Sequence, residues 1–475
     1  MNLFKQIRKT IYAVFFIFFL PVCSNGGGGS SSLGLLTLLG GSATELPSEW
    51  IWVSGRAFDT LGGGYGLGVY GTKGVTDPAN FPGGRQDAMQ WIDSSNQLWL
   101  FGGTGRDPGT GFGRLNDLWK FDGTNWTWVK GANTVNSNGS YGTKGVADPG
   151  NDPGARMGGT TWVDSSGNLW LFGGCGNINS WDCFSDLWKF DGTNWTWVAG
   201  PNTKNTNGVY GTKGLANSAN FPGGRQGATG WIDSSGTVWI FGANAGLEES
   251  FGTPSTLNDL WKFDGTNWTW VGGPKTIGGP GDGDRGVKGV GVASNIPSSR
   301  GKAISWVDSS DNLWLFGGSS FDGDWNDIWK FDGANWVWVS GSSTANEIGV
   351  YGKKNISSSN NIIGSRSSAI GGKLPNGKIW IFGGFGVDST GNGGQLNDLW
   401  IFDGKKWTWK GGTDLVTQAG NFGPKGKAGT NYYPGGRFGQ SGWTDSKGNI
   451  WIFGGQGIDS NGNNEFQNDL WKVRP

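Results

Sequence analysis

The chain of 475 residues contains no histidine. That absence removes Ser-His-Asp and Cys-His nucleophile systems, and every histidine-ligated copper or zinc site. Cysteine is almost absent too, with Cys23, Cys175 and Cys183 making up the three. No apolar run approaches the roughly 20 residues that a membrane-spanning helix needs. The most apolar stretch is the short IYAVFFIFFL that begins at Ile11. Neither sign of charge is in excess, at 37 Lys+Arg against 37 Asp+Glu, and no basic cluster forms. Nucleic acid is therefore not an expected partner. Stretches with helical amphipathic spacing are missing as well, which leaves strands to build the fold.

What is present is glycine, tryptophan and repetition: 93 Gly and 31 Trp fall largely at recurring places. Six copies of one pattern are anchored on Arg85, Arg156, Arg225, Arg300, Arg366 and Arg437, at intervals of 66 to 75 residues. At fixed distance after each arginine comes an apolar pair ending in Trp: Leu98-Trp99, Leu169-Trp170, Val238-Trp239, Leu313-Trp314, Ile379-Trp380 and Ile450-Trp451. Each unit reads as four short strands. The first, such as Arg225 to Trp231, is rich in small residues and suits a crowded axis. The second, such as Leu169 to Gly174, is apolar on both faces and suits a central position. The third and fourth, such as Asp186 to Phe190 and Trp195 to Val198, carry bulkier aromatics. DSSGN-like and DGTN-like turns imply antiparallel neighbours. The other connections are longer, at 8 to 15 residues between second and third strands and 26 to 31 between units, and gather on one face. Units of this kind bury their faces only against one another.

The recurring Phe-Gly-Gly (Phe101 to Gly103), the following Asn-Asp-Leu-Trp (Asn116 to Trp119) and the Trp opening the fourth strand (Trp126) resemble the kelch family of β-propellers, over about residues 48 to 475. Phe121 and its counterparts stand where kelch repeats usually carry Tyr. The resemblance implies a β-propeller, and the six copies of four antiparallel strands make the expected fold an all-β, six-bladed propeller. The last unit lacks a fourth strand, and Glu49 to Val53 (EWIWV) is a fourth strand without a unit, so it is expected to pair with Leu470 to Val473 and close the ring. Galactose oxidase has a similar propeller, but its copper site needs histidine, so that activity is excluded.

Residues 1–22 read as a signal peptide, with Lys5, Arg8 and Lys9 before the apolar stretch. LPVC, ending at Cys23, resembles a bacterial lipoprotein signal, against the alternative of a plainly cleaved peptide. Residues 23–47 are then a lipidated Cys and a Gly/Ser-rich tether, and residues 48–475 the propeller. The expected location is extracytoplasmic and membrane-anchored, at an outer membrane or cell surface. Cys175 and Cys183 lie within one second-to-third-strand loop and are expected to form a disulfide, with a two-thiolate metal site as the weaker alternative.

Several repeat-wide residues invite two readings. Asp117, Asp186, Asp259, Asp327, Asp398 and Asp469 match the six arginines one to one, as ion pairs holding blades in register or, alternatively, as an arginine ring for a ligand. Lys73, Lys144, Lys213, Lys288, Lys354 and Lys425 each precede an arginine by twelve residues. They serve loop packing, or face one opening and bind an anionic ligand. Most tryptophans belong to packing, while Trp181 and Trp325 break the repeat and are candidate ligand contacts. Two loops, from Asp388 to Asn392 and from Asp459 to Asn463, faintly resemble calcium loops and read first as polar turns.

The expected function is non-catalytic binding of an extracellular or periplasmic protein or glycan by a monomer that needs no cofactor or metal. Specificity is expected in the irregular loops: Arg56 to Tyr70, Cys175 to Cys183, Ala245 to Thr256 and Ile277 to Arg285. The rivals are a polysaccharide-active enzyme using Glu248, Glu249, Asp322, Asp324 or Glu465, and a purely structural surface protein.

Overall fold

The structure, a computed structural model, describes residues 46–57, 66–109, 111–176, 182–245 and 256–475. These fall within the unit Ser42–Pro475. The signal peptide, Cys23, nearly all of the tether, Trp181, Glu248, Glu249 and parts of three irregular loops lie outside the described residues.

All regular structure among the described residues is β, in antiparallel sheets. The first sheet illustrates the pattern. Met89–Ile92 pairs with Leu98–Arg106, which pairs with Phe112–Phe121, which pairs with Trp126–Lys130. Its turns are made by side chains already visible in the sequence. Asp93 Oδ1 accepts from the amides of Ser95 and Gln97, and its Oδ2 accepts from Trp99 Nε1. Asp122 Oδ1 accepts from the amides of Thr124 and Asn125.

The segment that begins at each arginine is not one strand. In the first sheet it divides into Arg85–Gln86 and Met89–Ile92, which pair with different stretches of Leu98–Arg106. The expected loops between second and third strands are also largely strand. Leu98–Arg106 and Phe112–Phe121 continue their ladder past a bulge at Gly102, where φ is +62°. A long hairpin satisfies backbone groups that a loop would leave to water. In the second sheet this ladder is short, running from Leu169–Phe172 to Leu187–Phe190 only.

The N-terminal strand Glu49–Ser54 pairs with the C-terminal Leu470–Arg474, in the register Trp50↔Val473 and Trp52↔Trp471. Successive sheets share apolar cores. One holds Leu100 and Trp119 of the first sheet with Trp451 and Phe453 of the last, and another holds Phe101 and Leu118 of the first with Leu171 and Trp188 of the second. The innermost strands touch in a closed cycle: Met89–Ile92, Thr160–Val163, Thr229–Ile232, Ile304–Val307, Ile370–Lys373, Ser441–Thr444 and back to Met89–Ile92. This arrangement is consistent with a β-propeller.

Candidate functional site

The face that carries the long connections is organised by the arginines. Arg85 is buried and forms a two-pronged pair with Asp117, Nη1 to Oδ1 at 2.6 Å and Nη2 to Oδ2 at 2.7 Å, while Nη1 also donates to the Gly102 carbonyl. Asp117 Oδ2 further accepts from Tyr70 Oη and Trp119 Nε1, each at 2.6 Å. Arg156–Asp186, Arg225–Asp259, Arg300–Asp327, Arg366–Asp398 and Arg437–Asp469 repeat the pair, all with essentially no exposure. Burial pushes Arg85 down, but Asp117 outweighs it and holds the guanidinium above its usual range. Burial, then the adjacent Asp117, raises the Tyr70 phenol well above its usual value, so it remains a donor.

Each pair lies within one repeat unit, which corrects the expectation that the pairs hold neighbouring units in register. Register between sheets comes from the same arginines through their backbone. The Gly103 amide donates to the Arg156 carbonyl, Gly174 to Arg225, Gly318 to Arg366, and Gly455 of the last sheet to Arg85 of the first. The tyrosine that opens YGTKG and the Trp two residues after each aspartate are parts of this centre that the sequence reading did not assign. Their signal was recurrence, the Trp in all six units and the Tyr in four, as Tyr70, Tyr141, Tyr210 and Tyr351.

The lysines do not gather at one opening. Lys73 Nζ donates to the Gly131 carbonyl and lies 4.4 Å from the Trp128 ring; Lys144 does the same at Gly200 and Trp197, Lys288 at Gly341 and Trp338, and Lys425 at Gly55 and Trp52. Lys213 and Lys354 lie over Trp270 and Trp409. Each therefore clamps its connection onto the outermost strand of a sheet. The connection covers the strand's edge, as where Ala147–Asp148 pairs with Trp195–Ala199, so the edge is not free for another chain.

Trp325 is buried, at 3 % exposure, which corrects its reading as a ligand-stacking ring. Its Nε1 donates to Ser320 Oγ, and the guanidinium groups of Arg285 and Arg300 lie 4.3 and 5.2 Å from its ring. The two calcium-like loops are Asp-led turns. Asp388 Oδ1 accepts from Thr390 and Asn392, and Asp459 Oδ1 accepts from the amides of Asn461 and Asn463. Among the described residues no group of three or more acidic or cysteine side chains is placed to hold a metal ion. Cys175 and Cys183 are disulfide-bonded.

The axis holds a feature that the sequence reading did not assign. Two residues after each arginine stand Asp87, Gly158, Gly227, Lys302, Ser368 and Gly439, all with φ between 51° and 67°. Asp87 N donates to the Gly439 carbonyl, Gly158 to Asp87, Gly227 to Gly158, Lys302 to Gly227, Ser368 to Lys302 and Gly439 to Ser368. The six bonds form a closed circle. Glycine adopts such φ values freely, whereas Asp87, Lys302 and Ser368 carry strain there. Lys302 Nζ reaches Asp87 Oδ2 at 3.2 Å, joining the first and fourth units. A cavity of about 180 Å³ is lined by these residues with Gln90 and Gln440. Beside Lys302, burial raises the Asp324 carboxyl, against hydrogen bonds from Ser367 and Ser319.

No family model and no curated protein matches the chain. A solved structure titled "Structure of YjhT" superposes with a TM-score of 0.49 at 13% identity, covering 86% of this chain and 99% of that one. At that similarity no residue role is carried over.

Proposed function

We propose that this protein is an exported, lipid-anchored, six-bladed kelch-like propeller that binds a protein or glycan through its long-loop face without catalysis. In this reading residues 1–22 are a signal peptide, Cys23 carries lipid, residues 23–47 form the tether and residues 48–475 the propeller, which acts as a monomer outside the cytoplasm. The Cys175–Cys183 disulfide supports an oxidising compartment.

The observation that carries the binding function is the internal use of the repeated charges by the fold. Bidentate Arg–Asp pairs and carbonyl-bound lysines have little left to offer a ligand. Recognition then falls to side chains that depart from the repeat, on a frame made rigid by ring closure. The test exposes the full-length protein in detergent, without reductant, to arrayed glycans and extracellular proteins, with a mass readout of every probe. Saturable capture without mass change, lost when the irregular loops are replaced by repeat consensus, is the expected result. Silence across the array would move the protein to a purely structural role.

The enzyme reading keeps one specific support, the half-buried Asp324, because a carboxyl raised by desolvation is suited to donate a proton. Under that reading probes are cleaved, and Asp324→Asn abolishes the cleavage.

A further inference from the structure

The second sheet's short ladder leaves room that its neighbours give to long hairpins. A pocket of about 550 Å³ lies there, between the connection that runs from Asn136 to Ala155 and the residues beside the disulfide, Gly176 and Phe184. That volume is within the range of small-molecule sites, roughly 300–1,000 Å³. Its floor is buried and mostly apolar: Pro153, Gly154, Ala155, Gly176 and Phe184. Its rim includes Asn138, Asn202 and Lys204, all exposed.

We infer that this pocket binds one ring of a neutral saccharide. A sugar ring has a C–H face, which an apolar floor suits, and an edge of hydroxyls that need both donors and acceptors. A carboxamide offers two donors and an acceptor with two lone pairs. The Asn138 and Asn202 amides have no protein hydrogen bond among the described residues, so both are available. The electrostatics select the neutral ligand. Among the described residues no carboxylate lines the pocket, and Lys204, the one cation on that lining, is already paired with Asp182 at 3.0 Å. An anionic sugar would have to displace that partner.

The site is also held in shape before any ligand arrives. Asn205 Oδ1 accepts from the Cys183 amide and the Asn205 amide donates to the Cys183 carbonyl, both at 2.8 Å. The segment bearing Asn202 and Lys204 is thereby fastened to the disulfide-bonded residue. On the opposite wall Gly139 and Gly154 pack so closely that a Cβ on Gly154 would lie 2.5 Å from the Gly139 nitrogen. Fixing both walls in advance reduces the ordering cost of binding.

This inference rests on the recognition reading and narrows it to one pocket and one ligand class. The test titrates full-length protein in detergent with maltohexaose, cellohexaose, chitohexaose, mannohexaose and, as the acidic comparison, oligogalacturonate, by calorimetry. Expected is saturable binding of at least one neutral hexasaccharide, unchanged in 0.5 M NaCl and weakened roughly tenfold or more by Asn138→Ala with Asn202→Ala. Both asparagines are exposed, and an unchanged unfolding midpoint confirms the variant's fold. Neutral binding that survives the double substitution overturns the pocket and leaves the recognition reading standing, as does capture of proteins alone. Preference for oligogalacturonate overturns the neutral ligand. Silence toward saccharides and proteins alike overturns both.

Discussion

The second and fourth units solve one packing problem with different residues. Two positions before the central aspartate the second has Phe184 and the fourth Trp325; where the second has Tyr141, the fourth has Arg285. Asp186 accepts from Arg156, Tyr141 and Trp188, whereas Asp327 accepts from Arg300, Trp329 and, at 3.5 Å, Arg285. Trp325 is held against two guanidinium groups, while Phe184 lies against Arg156 alone and forms the floor of a pocket. The repeat thus fixes one arginine, one aspartate and one tryptophan, and leaves the two positions beside them free to fill the space or open it.

The largest expected effect comes from removing the aspartates. Asp186→Ala leaves Arg156 buried without its counter-charge and is expected to cost about 3–5 kcal/mol in denaturant unfolding. Asp327→Ala should cost more, since it strands two guanidinium groups. Burial pushes Arg285 down, Asp327 pulls it up and Arg300 pushes it down again, for a net position below the usual arginine range. Equal losses in the two units would mean that Arg285 is not part of the fourth centre.

Truncating the rings comes next. Trp325→Ala is expected to cost about 3–5 kcal/mol, the range for a buried aromatic. Phe184→Ala should fall at or below the lower end of that range, because one side of its ring already faces a cavity. If Phe184→Ala proved the more costly, the pocket would be a closed part of the core. Removing the disulfide with Cys175→Ala and Cys183→Ala follows, at about 2–3 kcal/mol for a loop of this sequence separation of 8. That change has no counterpart in the fourth unit, and it should soften the pocket walls before it alters the ring.

Much of this comparison was readable in the chain and part was not. Repeat spacing, turn chemistry and the orphan EWIWV strand carry local information, and the pairing of Trp50 with Val473 follows from them. The Arg–Asp pairing was readable as a one-to-one count, but its place within a single repeat unit was not, because it depends on where each segment breaks. The axial circle depends on six left-handed φ values, and the Asp87–Lys302 pair joins residues 215 apart. The substitutions at that column, Asp, Gly, Gly, Lys, Ser and Gly, were visible as an irregularity with no geometry attached. Lys73 and its equivalents read as loop packing with a charged ring left as the alternative, because periodicity gives the number of cations and not the direction in which each side chain reaches.

The smallest expected effect separates the two units by pH. Burial raises Asp152, on the wall side of the second unit, against hydrogen bonds from Gly154 and Asn116; it likewise raises Asp324 in the fourth, against Ser367, Ser319 and Lys302. A carboxyl whose folded pKa lies above its unfolded value contributes stability that is full below about 3.9 and is lost as pH rises through the folded pKa. The turn carboxylates Asp164, Asp233, Asp308 and Asp445 have the opposite sign. Burial raises them, but hydrogen bonds from the turn and from the Trp indole outweigh it and hold them low, so their contribution is present above about 3.9 and lost as pH falls. Unfolding free energy should therefore drop steeply in acid, with a shallow opposing slope just above that drop. Asp152→Asn and Asp324→Asn should each remove part of the shallow slope and leave the acid limb unchanged. If Asp324→Asn alone flattened it, Asp152 would be stabilised as a carboxylate, and the second unit's wall would carry a negative charge that the fourth unit's does not.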